Sequence, residues 1–128
     1  MRKLRLTVIL IIATSFVGLT DIYEDISSAI RNGDARRLIS YIGASVDLTI
    51  GTQEAVYSKA QAEQILHEFF SKNTPKSFTI LHKGSSKEGI MYAIGTLVSA
   101  SGKTFRTSFY FKHSPNSNLI QELRFETE

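Results

Sequence analysis

From Asp21 onward, apolar residues recur every three to four positions, with Ile22, Ile26, Ala29 and Ile30 on one face, as in an amphipathic helix. Asp21 is expected to cap that helix, with Glu24 three residues on as a variant capping box. Gly33 is expected to close it in the left-handed conformation. Asp34 then caps a second, shorter helix that turns Leu38 and Ile42 inward and ends at Gly43. Val46, Leu48 and Ile50 alternate with Asp47 and Thr49, which predicts a half-buried strand broken by Gly51 and Thr52. The strongest helix signal opens at Ser58, whose side chain pairs with Gln61 in a capping box. Behind it Ala62, Ile65, Leu66, Phe69 and Phe70 form one wide apolar stripe, stopped by Asn73-Thr74-Pro75.

After Pro75 the period changes to two. Strands are predicted at 77–83, 90–99, 104–113 and 119–126, joined by loops short enough for consecutive antiparallel hairpins. The order is two helices, a strand, a third helix and a four-stranded meander, an α+β domain with helices on one face of a bent sheet. No internal repeat or low-complexity stretch interrupts it.

The start of the chain differs. Arg2, Lys3 and Arg5 precede a run of 14 apolar or small residues from Leu6 to Leu19, with Gly18 and Thr20 just ahead of Asp21. A basic head, a short apolar core and small residues before an acidic start are the layout of a secretory signal. A spanning helix needs roughly 20 residues, so a cleaved signal over 1–20 is preferred to an uncleaved anchor or a buried helix. Residues 21–128 then form the single domain, exported to the periplasm or the medium.

Removing that segment alters the charge. The chain holds 15 Lys plus Arg against 12 Asp plus Glu, a formal +3. Arg2, Lys3 and Arg5 supply the whole excess, so the exported part is neutral and gives no reason to expect nucleic-acid binding. There is no cysteine, which excludes disulfides, thiolate metal sites, a cysteine nucleophile and lipid attachment through cysteine.

Several segments carry a resemblance: 21–30 (DIYEDISSAI), 56–70 (VYSKAQAEQILHEFF), 76–86 (KSFTILHKGSS), 92–97 (YAIGTL) and 119–126 (LIQELRFE). Together with the order of elements they resemble the nuclear transport factor 2-like (cystatin-like) superfamily. More narrowly, they resemble an uncharacterised secreted bacterial family, domain of unknown function 4783. The resemblance implies export and a cone of three N-terminal helices packed on a curved antiparallel sheet. It implies no activity.

Enzymes of the wider superfamily use a pocket inside the cone, where a tyrosine or histidine works with a carboxylate whose pKa is raised by apolar surroundings. The candidates here are Tyr23, Tyr92, Glu122 and Arg124. Tyr41 and Tyr57 are further aromatic residues with a polar tip, and core packing is the commoner use of all four tyrosines. Glu122, Arg124 and Glu126 alternate with Leu123 and Phe125, the pattern of a solvated strand face. Asp47 falls on the face opposite Val46 and Leu48, and Glu63 and Glu68 on the polar side of the third helix. His67 lies off the apolar stripe, and His82 and His113 are placed at strand ends. No histidine pair has the i, i+4 spacing of a metal motif, and neither a nucleophile elbow nor a phosphate loop is present. Arg31, Arg36 and Arg37 read as a solvated cluster at a helix junction. No metal or cofactor is expected.

Two functions remain. One is an exported, non-catalytic binding or interaction module for a protein partner or a small apolar ligand. The alternative is a small-molecule enzyme of isomerase or hydrolase type. A closed cavity holding a buried acid favours the enzyme, and a cone filled by Phe69, Phe70, Phe109 and Tyr92 favours the module. Strand 90–99 is apolar or small on both sides, with Ile90, Tyr92, Ile94 and Val98 against Met91, Ala93, Gly95 and Leu97. One of these sides must lie away from the helices, so a homodimer through an outer sheet face is expected, with Leu81 and Leu97 on that face.

Overall fold

The computed structural model describes residues 19–86, 88–114 and 117–128. The basic head and most of the apolar run, and with them the expected signal apart from Leu19 and Thr20, lie outside the described residues. The elements are α1 (Leu19–Arg31), α2 (Ala35–Ile39), β1 (Ile42–Ile50), β2 (Gln53–Ser58), α3 (Lys59–Lys72), β3 (Pro75–Ser85), β4 (Ile90–Ser99), β5 (Thr104–Ser114) and β6 (Ser117–Thr127).

Helix α1 buries Tyr23, Ile26, Ala29 and Ile30, and Ile22 is only half-buried. Asp21 lies inside the helix rather than at its cap, because α1 already includes Leu19. Its end is as expected. Gly33 takes a φ of 61°, the Asp34 amide donates to the Ala29 carbonyl at 2.9 Å and the Gly33 amide to that of Ile30 at 3.0 Å. That pair of bonds satisfies carbonyls a helix end leaves free. Asp34 caps α2 by accepting from the Arg37 amide at 3.0 Å.

The second helix is shorter than its sequence pattern suggests. The Tyr41 amide bonds back to the Leu38 carbonyl at 3.1 Å, and the Tyr41 carbonyl accepts the Ile120 amide at 2.7 Å. The backbone is thereby captured by β6, so Ile42 and Gly43 belong to β1 and not to the helix. Strand β2 has no counterpart in the sequence reading. All its residues except Tyr57 are exposed, with Val56 at 69%, so no alternation marks it and its pairing with β1 across the Gly51-Thr52 turn defines it. Helix α3 carries the capping box, with Ser58 and Gln61 each accepting the other's amide at 3.3 and 3.2 Å. It buries Ala62, Leu66, Phe69 and Phe70, while His67 is exposed.

The six strands form one sheet in the order β2-β1-β6-β5-β4-β3. Strands β3 to β6 are the expected meander, but β1 runs parallel to β6. The sheet is therefore mixed, not antiparallel, because β1 and β6 are joined by a long crossover and not by a hairpin. Nor are there three N-terminal helices: two precede the sheet, and α3 stands between β2 and β3. Register shifts at Ile80/His82, Tyr110/Phe111 and Ile42/Asp47 insert extra residues that bend the strands, and the sheet is curved. At the first of these β3 lies so close to β4 that a Cβ on Gly95 would run into the Thr79 carbonyl and the Phe78 ring.

The helices pack on one face of the sheet. There Phe69 lies 4.9 Å from Phe125, 5.1 Å from Phe105 and 5.5 Å from Phe70, ring centre to ring centre. Phe109, Phe111, Leu48, Leu66, Leu97 and Leu123 complete a core fully withdrawn from solvent. Leu97, expected on the outer face, is part of this core. Leu81 is 71% exposed and is the extra residue of the Ile80/His82 bulge.

Candidate functional site

The strand register organises the opposite face into rows that cross the sheet. One row reads Val56, Asp47, Glu122, Tyr110, Tyr92 and Gly84 from β2 to β3. The next reads Glu54, Thr49, Arg124, Ser108, Ile94 and His82. Directly paired residues project to the same side of a sheet, so twelve residues from distant parts of the chain share one surface. Three of the four site candidates, Tyr92, Glu122 and Arg124, belong to it.

Arg124 is its electrostatic centre. It bonds Glu122 at 3.2 Å and has Glu54 at 4.0 Å. Glu126 stands 2.7 Å from Nε, but Nε makes no hydrogen bond among the described residues, so that contact is an ion pair lying off the N–H direction. Burial works to lower the Arg124 pKa, and Glu126, Glu122 and Glu54 outweigh it and hold the guanidinium above its ordinary range. Thr49, paired with both Arg124 and Glu54, is 4% exposed. Its hydroxyl and one carboxylate oxygen of Asp47 are buried without a hydrogen-bond partner among the described residues.

The β3 side of the face is aromatic. Tyr92 stacks on Tyr110 with ring centres 5.7 Å apart, and its hydroxyl is 3.1 Å from His82 Nε2. Gly84 makes room for that hydroxyl, which would lie 2.7 Å from a Cβ at this position. His82 is therefore within β3 and bonded to Tyr92, not at a strand end.

Tyr23, the fourth candidate, is on the other side of the sheet. It packs edge-on against Phe111 with ring centres 5.2 Å apart and donates to the Gly84 carbonyl at 3.4 Å. Lys83 Nζ sits 5.1 Å from its ring centre. Burial, with a smaller contribution from Tyr92, pushes the Tyr23 hydroxyl above its ordinary pKa. The four candidates thus do not line one pocket. The core on the helix side holds Phe69, Phe70 and Phe109, with Tyr23 and not Tyr92 among them.

Three clefts open elsewhere. One of about 730 Å³ is lined by Asn32, Asp34, Glu63 and His67. Another of about 350 Å³ lies between α3 and β2, with Ile50, Tyr57, Ile65 and Phe69. A third of about 460 Å³ adjoins it at Ile50, Phe69 and Asn73. None is lined by Tyr23, Tyr92, Glu122 or Arg124. Among the described residues no group of three His, Asp or Glu side chains is placed to hold a metal ion.

Sequence reasoning set Asp47 on the correct face but did not bring it to Glu122, and it did not single out Thr49, Glu54 or Tyr110 as part of a site. Their proximity depends on the parallel β1–β6 pairing and on β2, which local periodicity does not encode.

A mixed, curved sheet covered on one face by helices is the cystatin-like, or nuclear transport factor 2-like, class of α+β domain. The family model for the domain of unknown function DUF4783 matches residues 23–126, and the chain belongs to that family. A family protein of known structure from Bacteroides fragilis is 31% identical, with a TM-score of 0.73 over 81% of this chain and 96% of that one. One from Bacteroides ovatus is 29% identical, with a TM-score of 0.74 over 81% and 93%. A protein of unknown function with a cystatin-like fold from Methylobium petroleophilum shares the fold at 15% identity and a TM-score of 0.62, over 84% of this chain and 74% of that one. No curated protein matches.

Proposed function

We propose that the protein is an exported, non-catalytic interaction module that holds a protein partner on the face of the sheet opposite the helices. The observation that carries this reading is the row Val56, Asp47, Glu122, Tyr110, Tyr92, Gly84 with its neighbour, in which exposed Val56 and half-buried Tyr92, Tyr110 and Ile94 adjoin the Glu122–Arg124 pair. Among the described elements none covers this face. A mixed apolar and polar surface with aromatic anchors has the composition of protein interfaces. The filled interior supports the module over the isomerase or hydrolase alternative, since the described core holds no carboxylate for acid–base work. Export to the periplasm or medium rests on the basic head and short apolar run. No helix among the described residues is long and apolar enough to cross a membrane. Ile50, Tyr57, Ile65 and Phe69 in the cleft between α3 and β2, beside the polar Gln53, Glu68, Lys72 and Asn73, support a second reading, a small apolar ligand.

A photo-cross-linking side chain at position 110 tests the interaction, with position 67 on the exposed side of α3 as the control. In cells producing the protein, a cross-linked species is expected from position 110 and not from 67. Equal cross-linking from both, or none from 110, contradicts the reading.

A further inference from the structure

We propose that the partner enters through an extended segment that adds to the free edge of β2 as a seventh strand, with a basic side chain opposite Glu54. The inference rests on the interaction reading above and names the part of the partner that binds.

The sheet ends in two edges, β3 and β2, and they are built differently. An open strand edge is a template for another chain, and proteins block it with proline, lysine or a bulge. Strand β3 has all three: Pro75, the exposed Lys76 and Lys83, and the Ile80/His82 bulge. Strand β2 has none. It contains neither proline nor lysine, and its register with β1 is unbroken from Gln53 to Ser58.

The hairpin determines which backbone groups of β2 stay open. The Gly51 amide donates to the Phe125 carbonyl at 2.8 Å, so Thr49 and Gly51 turn toward β6, while Val46, Leu48 and Ile50 turn toward β2. Bonded pairs alternate with open ones along an antiparallel ladder. Gln53, Ala55 and Tyr57 are therefore bonded to β1, and the N–H and C=O of Glu54 and Val56 point outward. The Ser58 amide also points outward, and the Gln61 side chain accepts it at 3.2 Å. The open stretch thus ends where α3 begins. Among the described elements no strand pairs with the outer edge of β2.

Side chains beside this edge select the segment. Glu54 and Val56 lie on the face opposite the helices, at the ends of its two rows. On that half of the face Glu54, Glu122 and Glu126 stand around the single Arg124, with Asp47 paired to Val56. A basic residue opposite Glu54 meets this excess of carboxylate, and a β-branched apolar residue covers the exposed Val56. The residue between them stands opposite the small Ala55, on the helix side. Gln53 and Tyr57, the neighbours of Ala55 on that side, line the cleft of about 350 Å³ that also holds Ile65 and Phe69. A large apolar side chain at this position faces the cleft. Main-chain bonds to an edge supply affinity, and a pocket for alternate side chains supplies selectivity.

Amide hydrogen exchange of the purified protein, followed by NMR, is the test. The probe is the capped peptide Thr-Val-Leu-Lys-Thr, which in antiparallel addition sets Val opposite Val56, Leu opposite Ala55 and Lys opposite Glu54. It is expected to slow exchange at the Glu54 and Val56 amides by roughly tenfold or more, with no protection along β3. Val56→Pro removes an amide that β1 does not use and is expected to abolish binding while melting near the parent. Glu54→Lys, which leaves the backbone intact, is expected to weaken the probe by roughly threefold and to favour its Glu counterpart, Thr-Val-Leu-Glu-Thr. A probe that protects neither amide, or that binds Val56→Pro as it binds the parent, overturns strand addition. Equal binding of the Lys and Glu peptides to the parent overturns the basic residue. Protection that appears without peptide and rises with protein concentration assigns the edge to a second copy and overturns the separate partner. Cross-linking from position 110 with no protection of the edge overturns this inference alone, and failure of both overturns the interaction reading as well.

Discussion

The two faces of the sheet are built from alternate residues of the same strands, yet they solve different problems. On the helix side Leu97, Phe109, Leu123 and Phe125 lie fully out of water among other apolar groups, and their contribution comes from area withdrawn from solvent and close packing. These side chains contain nothing to be satisfied. On the other side the intervening residues include Tyr92, Tyr110, Ser108, Glu122, Arg124 and Thr49, partly covered by one another. Burial there leaves Asp47 and Thr49 oxygens without partners, and a buried acceptor without a donor costs about 1–3 kcal/mol. Neither oxygen has surface open to an outside donor, so that cost belongs to the packing of this face, and what the face offers outward is its half-buried tyrosines and its carboxylates around Arg124.

If the two faces differ in this way, substitutions should separate them. The largest effect belongs to the helix side. Phe69→Ala removes a ring in contact with three others and should cost about 3–5 kcal/mol in urea unfolding, whereas Tyr92→Ala on the other face should cost clearly less. Comparable losses would break the distinction. Gly95→Ala tests the bend that separates the faces, since the new methyl meets backbone at Thr79. A loss of about 1–3 kcal/mol is expected, and an unchanged midpoint would show that β3 yields easily.

Smaller effects lie at the margins. Ser58→Ala removes one half of the α3 capping box and should cost about 1 kcal/mol, read from the same unfolding curves. Tyr23 titrates in the alkaline range. Its folded pKa lies above the unfolded value, so the neutral hydroxyl is the form that folding favours. Its contribution is complete below about pH 10 and is lost as the pH rises through the raised folded value. Tyr23→Phe should therefore lose less stability than the parent between neutral and strongly alkaline solution, and an equal loss would deny Tyr23 its buried environment. His67→Ala, exposed on α3, should change stability by no more than about 0.5 kcal/mol.

What the sequence made legible follows from how far each interaction reaches along the chain. The α3 capping box, the Gly33 helix end, the Asp34 cap and the β3–β6 meander depend on residues a few positions apart, and all were readable. Strand β2 was not, because its side chains are exposed and only its pairing with β1 defines it. The parallel contact of β1 with β6 was not readable either, and it is what assembles Asp47, Thr49 and Glu54 around Arg124. Tyr92 and Tyr23 show the same limit. Both are aromatic residues with a polar tip, and only the packing of α1 against β3 puts Tyr23 in the core and leaves Tyr92 on the outer face.

The central claim is that one face of the sheet holds the domain together and the other binds. The urea midpoint of Tyr92→Glu, taken beside its photo-cross-linking through position 110, tests this most directly. The account predicts a midpoint near that of the parent together with loss of association. A midpoint lowered as far as that of Phe69→Ala, or association left intact, would contradict it.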